Sequence, residues 1–282
     1  MKAGSASKQG FADVRSVGAR YPSRVLWEHG PLIRRLAARE LQSRYRASML
    51  GIAWTIIVPL GMVLMYTFVF GSILKMRWSG IDGSMENMTA FFLAGLIVHQ
   101  LFSDCIARAP SLVLENKTYV TRVVFPLEIL SLVTVAVALV GAIVGLVLLL
   151  SFMMLTSGIP PATALLSPLV LLGMTPMLLG LIWIISALGV FVRDLGQIMP
   201  IVLSVLFFLA PVIYPRSSVP EPLQAFVVFN PITIPIEMMR ALVFGHPFQW
   251  ELAPAYLAIS LIVCWAGFSL FSRLRRAFAD VL

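Results

Sequence analysis

Charge is the scarcest resource in this chain. Asp, Glu, Lys and Arg make up 12% of its 282 residues, against 59% apolar ones. An average globular domain carries roughly 25% charged and 45–50% apolar residues, so this chain could not cover a water-facing surface of its own size. Catalytic vocabulary is missing too. No Gly-Lys dipeptide occurs, which excludes the phosphate-cradling loop that ends in Gly-Lys-Ser/Thr. No His, Cys or acidic residues cluster at metal-ligand spacing, and neither a Gly-x-Ser-x-Gly elbow nor a paired-aspartate motif for a lipid diphosphate is present. Cysteine is limited to Cys105 and Cys264, both in or beside apolar segments, where core contacts are expected rather than a structural disulfide. The alternating ten-residue strands of a membrane barrel are absent as well. Energy for any work must therefore come from a separate subunit or from an ion gradient.

What is present is a series of apolar segments of membrane-crossing length. From Ile129 to Val192 there is no Asp, Glu, Lys or Arg. A bilayer core of about 30 Å is crossed by roughly 20 helical residues, so this stretch holds two crossings. They part at Ser157-Gly158-Ile159-Pro160-Pro161, where helix propensity collapses. Ile52–Leu74, Leu195–Tyr214 and Leu252–Phe271 are also uncharged, and Thr89–Ala107 is interrupted by Asp104. The expectation is an all-α integral membrane protein with six transmembrane helices, at about 52–74, 89–107, 127–156, 165–192, 195–214 and 252–272. They form one domain over 50–275, followed by a tail at 276–282.

Basic residues set the orientation. The flanks 1–50, 108–128, 193–194 and 272–282 hold 17 of the 21 Lys and Arg residues. The positive-inside rule places those flanks, and both termini, in the cytoplasm. The net charge of +8 then reads as a topology signal rather than as a nucleic-acid footprint. The first 50 residues lack the apolar core and cleavage site of a signal peptide, so the first span is expected to insert uncleaved.

The segments between spans carry their own patterns. Residues 1–30 are polar and mixed, a leader expected to be loosely ordered. Over 31–48, Leu32, Ile33, Leu36, Ala37, Leu41 and Tyr45 form an apolar stripe, and Arg34, Arg35, Arg39, Arg44 and Arg46 cover the rest. An interfacial helix in the headgroups and an amphipathic helix on a soluble lobe both fit; the span that starts just after it favours the first. The loop from Arg108 to Phe125, with Glu115, Asn116 and Lys117 in its middle, fits a partner-docking helix and a plain connection equally. On the outer side, 215–251 is largely apolar yet broken at Asn230-Pro231 and Pro235, which suggests two short re-entrant helices. Glu237 and Arg240 are three apart there, a spacing for a stabilising ion pair.

Few side chains inside the spans can do chemistry. Asp104 and Arg108, four apart, read as a local pair, and Glu128 sits close enough to a span end to reach the interface. His99 lies near mid-span, where an ionisable group is a functional candidate, although a single histidine makes a thin proton relay. Aromatic residues are the larger resource. Trp54, Tyr66, Phe68 and Phe70 lie on span one, and Phe207, Phe208 and Tyr214 on or at the end of span five. Their rigid apolar faces suit sugar rings, and Trp54 and Tyr214 fit an interfacial belt equally well.

At Arg44-Tyr45-Arg46-Ala47-Ser48-Met49-Leu50-Gly51-Ile52-Ala53-Trp54 the chain resembles the membrane permeases of ABC-type polysaccharide exporters, the branch serving O-antigen, teichoic acid and capsule chains. Further stretches agree in order: Phe125-Pro126-Leu127-Glu128, Val190-Phe191-Val192-Arg193-Asp194-Leu195, Pro211-Val212-Ile213-Tyr214-Pro215, and Asn230-Pro231 leading to Arg240 and Gly245. The resemblance implies a homodimer in the bacterial inner membrane, bound to two copies of a separate ATPase that carries ATP and Mg. It implies contact with that ATPase through Arg39, Arg44, Arg46, Glu115, Asn116 and Lys117. It also implies a path for lipid-linked polysaccharide between protomers, lined by Trp54, Tyr66, Phe70, Phe207, Phe208 and Tyr214. The chain departs from the family at Ile97-Val98-His99, where a proline and an aromatic residue are common, and in its longer leader. A permease of the same fold that exports a lipid or small hydrophobic compound is the alternative. A membrane-embedded glycosyltransferase or lipid phosphatase would need a clustered acidic or histidine site, and the sequence has none.

Overall fold

The computed structural model describes residues 22–45, 49–73, 85–117 and 125–281, and every regular element among them is helical. In chain order they are α1 (Pro22–Tyr45), α2 (Trp54–Tyr66), α3 (Met85–Arg108), α4 (Leu112–Glu115), α5 (Glu128–Thr156), α6 (Ser167–Gly173), α7 (Thr175–Phe191), α8 (Leu195–Leu209), α9 (Glu221–Phe229), α10 (Thr233–Phe244) and α11 (Leu252–Val281). Of the predicted leader, 1–30, residues 1–21 lie outside the described residues; residues 22–30, expected to be loosely ordered, are helical and open α1. Four stretches are long and apolar enough to cross a membrane: Met88–Glu115, Glu128–Thr156, Ala162–Phe191 and Leu252–Phe278. Two more apolar helices, Trp54–Val69 and Leu195–Leu209, are shorter.

α1 begins ahead of the predicted start and runs through Pro31. An interior proline deletes one helical hydrogen bond, and Pro31 sits on the exposed side of the helix. Ile33 is buried, and Leu32, Leu36, Ala37 and Leu41 join the core, with α5 as the main neighbour. The apolar stripe thus meets protein, while Arg34, Arg35 and Arg39 stay exposed. α2 continues as a π-helix over Thr67–Ile73, where Thr67 Oγ1 donates to the Val63 carbonyl at 2.7 Å.

The core is tightest where α7 meets α11. Gly180 and Gly267 face each other, and a Cβ on either would run into the opposite backbone. Small residues permit such close approach between membrane helices, whose attraction comes from van der Waals contact rather than from water exclusion. Trp183 is fully buried beside them, edge-on to Phe268, with its indole N–H donating to the Glu128 carbonyl at 3.3 Å. The predicted break after α5 is found at Ser157, with Gly158 at φ 97°.

α8 stops at Leu209, five residues before the predicted end of that span. The residue before a proline is driven out of the helical region, and Ala210, preceding Pro211, is extended at ψ 150°.

Candidate functional site

A half-open cavity of about 380 Å³ lies between α2, α3, α5 and α8. The sequence of α5 creates the hollow. Ala138, Gly141, Ala142 and Gly145 recur at helical spacing on one face, and this face forms the recessed floor. α2 supplies one wall with Trp54, Val58, Met62 and Tyr66, and α3 the other with Leu96, His99, Gln100 and Asp104. Phe207 of α8 closes the side, its ring edge-on to His99 with centroids 4.8 Å apart.

Of the six aromatic residues expected along a path, Trp54, Tyr66 and Phe207 come together here. Phe208 is 64% exposed and is not among the cavity walls. The Tyr214 hydroxyl donates to the Phe208 and Leu209 carbonyls at 2.9 and 3.2 Å, so it closes the end of α8. The Phe70 side chain lies outside the described residues. From the sequence only His99 of the polar wall is a functional candidate; Gln100 and Ser103 carry no expectation. His99 Nε2 is 3.2 Å from Ser103 Oγ, and Gln100 Nε2 donates to Asp104 at 2.7 Å. The available signal is two overlapping i, i+4 polar pairs that follow the apolar run Phe91–Val98.

Three expectations about charged groups need correction. Arg108 does not pair with Asp104; it reaches Glu40 of α1 at 2.6 Å, because the side of α3 that carries it faces that helix. Glu128 does not reach an interface. It is buried and held by Arg275 of α11 at 2.8 and 3.0 Å, while the same guanidinium donates to the Phe125 carbonyl at 3.0 Å. Glu237 pairs with Arg216 at 3.5 Å rather than with Arg240. Burial pushes the Glu237 carboxyl above the usual carboxylate range, with Arg216 and, more weakly, Arg240 pulling it down.

Arg240 has another task. It is buried and donates to the carbonyls of Phe91 (3.2 Å), Pro211 (2.6 Å), Val212 (2.6 Å) and Tyr214 (3.4 Å), with its guanidinium 3.5 Å from the centroid of Phe91. Where α8 ends at Pro211, the chain loses its helical acceptor pattern, and buried carbonyls need donors. A guanidinium offers five N–H groups in a fixed fork, so one side chain serves the whole bend. Gly95 of α3 makes room: a Cβ there would lie 2.9 Å from Arg240 Nη2.

The loop after α3 holds the short helix α4. Leu112 and Val113 bury its inner side, Glu115 and Lys117 are exposed, and Asn116 donates to the Leu112 carbonyl at 2.9 Å. Arg39 is exposed on α1. Arg46 and the side chain of Arg44 lie outside the described residues.

Residues 31–244 match the sequence profile of the ABC-2 type transporter. The chain belongs to that family. It is therefore a multi-pass membrane protein of the permease kind, not itself catalytic. The O-antigen export system permease protein RfbA of Myxococcus xanthus is 28% identical over 260 residues, covering 91% of this chain and 97% of that protein. A protein of the same name from Klebsiella pneumoniae is 24% identical over 86% and 92% of the two chains. The polysialic acid transport protein KpsM of Escherichia coli is 23% identical over 84% and 90%.

Proposed function

We propose that this ABC-2 permease is the membrane-spanning subunit of an ATP-driven exporter. It moves a lipid-linked polysaccharide of O-antigen, teichoic acid or capsule type across the bacterial inner membrane. The observation that carries the reading is the aromatic cavity. Trp54, Tyr66 and Phe207 offer ring faces around one hollow beside the shorter apolar helices α2 and α8, in a chain whose near-full-length relatives are named for O-antigen export and polysialic acid transport. Aromatic faces give sugar rings apolar contact with little conformational freedom to lose, which suits a sliding polymer better than one deep pocket would.

The remaining parts fit around that hollow. α2 and α8 complete six crossings, with both termini on the cytoplasmic side according to the basic flanks. α9 and α10 are the re-entrant pair on the outer face. Two copies of the chain enclose the path between them, and two ATPase subunits, which bind ATP and Mg, dock on α1 and α4. Their contacts include Arg39, Arg44, Arg46, Glu115, Asn116 and Lys117. Joint charge reversal of Glu115 and Lys117 is expected to weaken co-purification of the ATPase; an intact stoichiometric complex would count against this docking site.

The cavity itself is tested by Phe207→Ala and Trp54→Ala. Each is expected to lower surface polysaccharide several-fold at unchanged protein level, measured by glycan blot against membrane-fraction protein. Undiminished export in both variants would remove the aromatic path.

A further inference from the structure

The α3 wall of the cavity carries an arrangement that the aromatic path does not account for. His99, Gln100, Ser103 and Asp104 form two side-by-side hydrogen-bonded pairs just after the apolar run Phe91–Val98 of α3, and Phe102 and Cys105 bury the opposite face. His99, Gln100 and Asp104 face the hollow rather than the core. Ionisable and strongly polar groups at membrane depth are costly against hydrocarbon and are found facing water or a polar ligand. The rest of the lining is largely apolar, so the hollow offers one polar wall and one apolar wall, matching a sugar ring's hydroxyl edge and apolar face. Across from this wall, Thr55 Oγ1 is buried at the cavity with no hydrogen-bond partner among the described residues. At about 380 Å³ the space falls within the roughly 300–1,000 Å³ of small-ligand sites, a scale for individual rings rather than for a coiled polymer.

We infer that this wall is a ring-hydroxyl subsite for one sugar unit of the passing glycan, with His99 as its specificity-determining residue. The inference rests on the export reading and adds to it the residues that read the sugar. His99 and Gln100 give up their internal bonds to Ser103 and Asp104 and donate to ring hydroxyls, and Phe207 packs on the ring's apolar face. The internal pairs keep the wall satisfied when the cavity holds only water, so a unit can leave as readily as it enters. Loose, exchangeable hydrogen bonds of this kind suit a polymer that must advance.

The test is saturation-transfer NMR on the full-length chain in lipid nanodiscs, with methyl glycosides of glucose, mannose, galactose and rhamnose as probes. His99→Phe keeps the ring contact with Phe207 and removes the hydrogen bonds; His99→Gln keeps hydrogen bonding. At least one glycoside is expected to receive saturation on its ring protons. That signal should fall about fivefold in His99→Phe, the worth of roughly one neutral hydrogen bond, and persist in His99→Gln. Gln100→Leu, at an exposed position, carries the same expectation and serves if His99→Phe fails to fold. No transfer to any glycoside, or equal transfer in wild type and His99→Phe, would overturn the subsite. Export by a strain lacking the gene would instead sink the export reading, so the two failures are distinguishable.

Discussion

α7 and α11, which pack on each other, and α2 and α8, which both border the cavity, are all strongly apolar, yet they are held in opposite ways. The first pair meets backbone to backbone at Gly180 and Gly267 and encloses Trp183. Among the described residues, the second pair buries little: Val63 on α2, and Met199 and Leu203 on α8. Ile56, Leu60 and Leu64 on α2, Phe68 on its π-helical continuation, and Ile201, Val205 and Phe208 on α8 stay exposed. One pair is scaffold; the other is a thin wall beside a hollow, with much of its apolar surface uncovered. Hydropathy alone does not separate these roles, because lipid and protein interior are about equally apolar.

The largest effect should come from the scaffold. Gly267→Leu drives a side chain into the backbone of α7, which cannot yield, and is expected to abolish monodisperse protein on gel filtration. Gly141→Leu makes the contrast. That position lines the hollow with nothing within 4 Å of an added Cβ, so the variant should fold normally and export poorly. Equal damage from both would erase the distinction between scaffold and wall.

Arg240→Met comes next. It strips the side-chain donors from the Pro211 and Val212 carbonyls at the bend, at about 1–3 kcal/mol for each buried group left unpaired. A thermal unfolding scan should show a large loss, which Arg240→Lys restores only in part. Glu237→Gln should change little, since its partner is the half-exposed Arg216; a matching loss there would reinstate the Glu237–Arg240 pair.

Arg275→Met removes the partner of buried Glu128. Charged hydrogen bonds are worth about 1.5–3 kcal/mol when buried, and with Arg275 a third exposed the loss should be about 1–2 kcal/mol. Smallest in stability is Phe207→Ala, expected within about 1 kcal/mol of wild type because the ring faces a hollow that is already half open. Its effect belongs to export.

Much of the architecture was legible in the residues. The uncharged run from Ile129 to Val192 and its break at Ser157-Gly158 became α5 and the rod that follows, and Trp54, Tyr66 and Phe207 did converge. What failed was partnership. Sequence spacing proposes neighbours on one helix, so Arg108 was assigned to Asp104 and Arg240 to Glu237. The actual partners lie 68 residues away for Arg108 and up to 149 away for Arg240. The Arg240 bonds could not be inferred from pattern at all. Three of its four acceptors, the Pro211, Val212 and Tyr214 carbonyls, are freed only where α8 gives way to the bend at Pro211. The polar face of α3 was visible as His99 and Asp104, but its meaning depended on a hollow that small residues of a different helix create.

The export reading requires glycan to pass along the wall formed by α2 and α8. A photo-crosslinking amino acid placed at position 207 in exporting cells, compared with one at Trp265, an exposed position on α11, tests it most directly. The account predicts glycan-reactive adducts of the permease at 207 and none at 265. Active export with no adduct at 207, or with equal adducts at both positions, would contradict it.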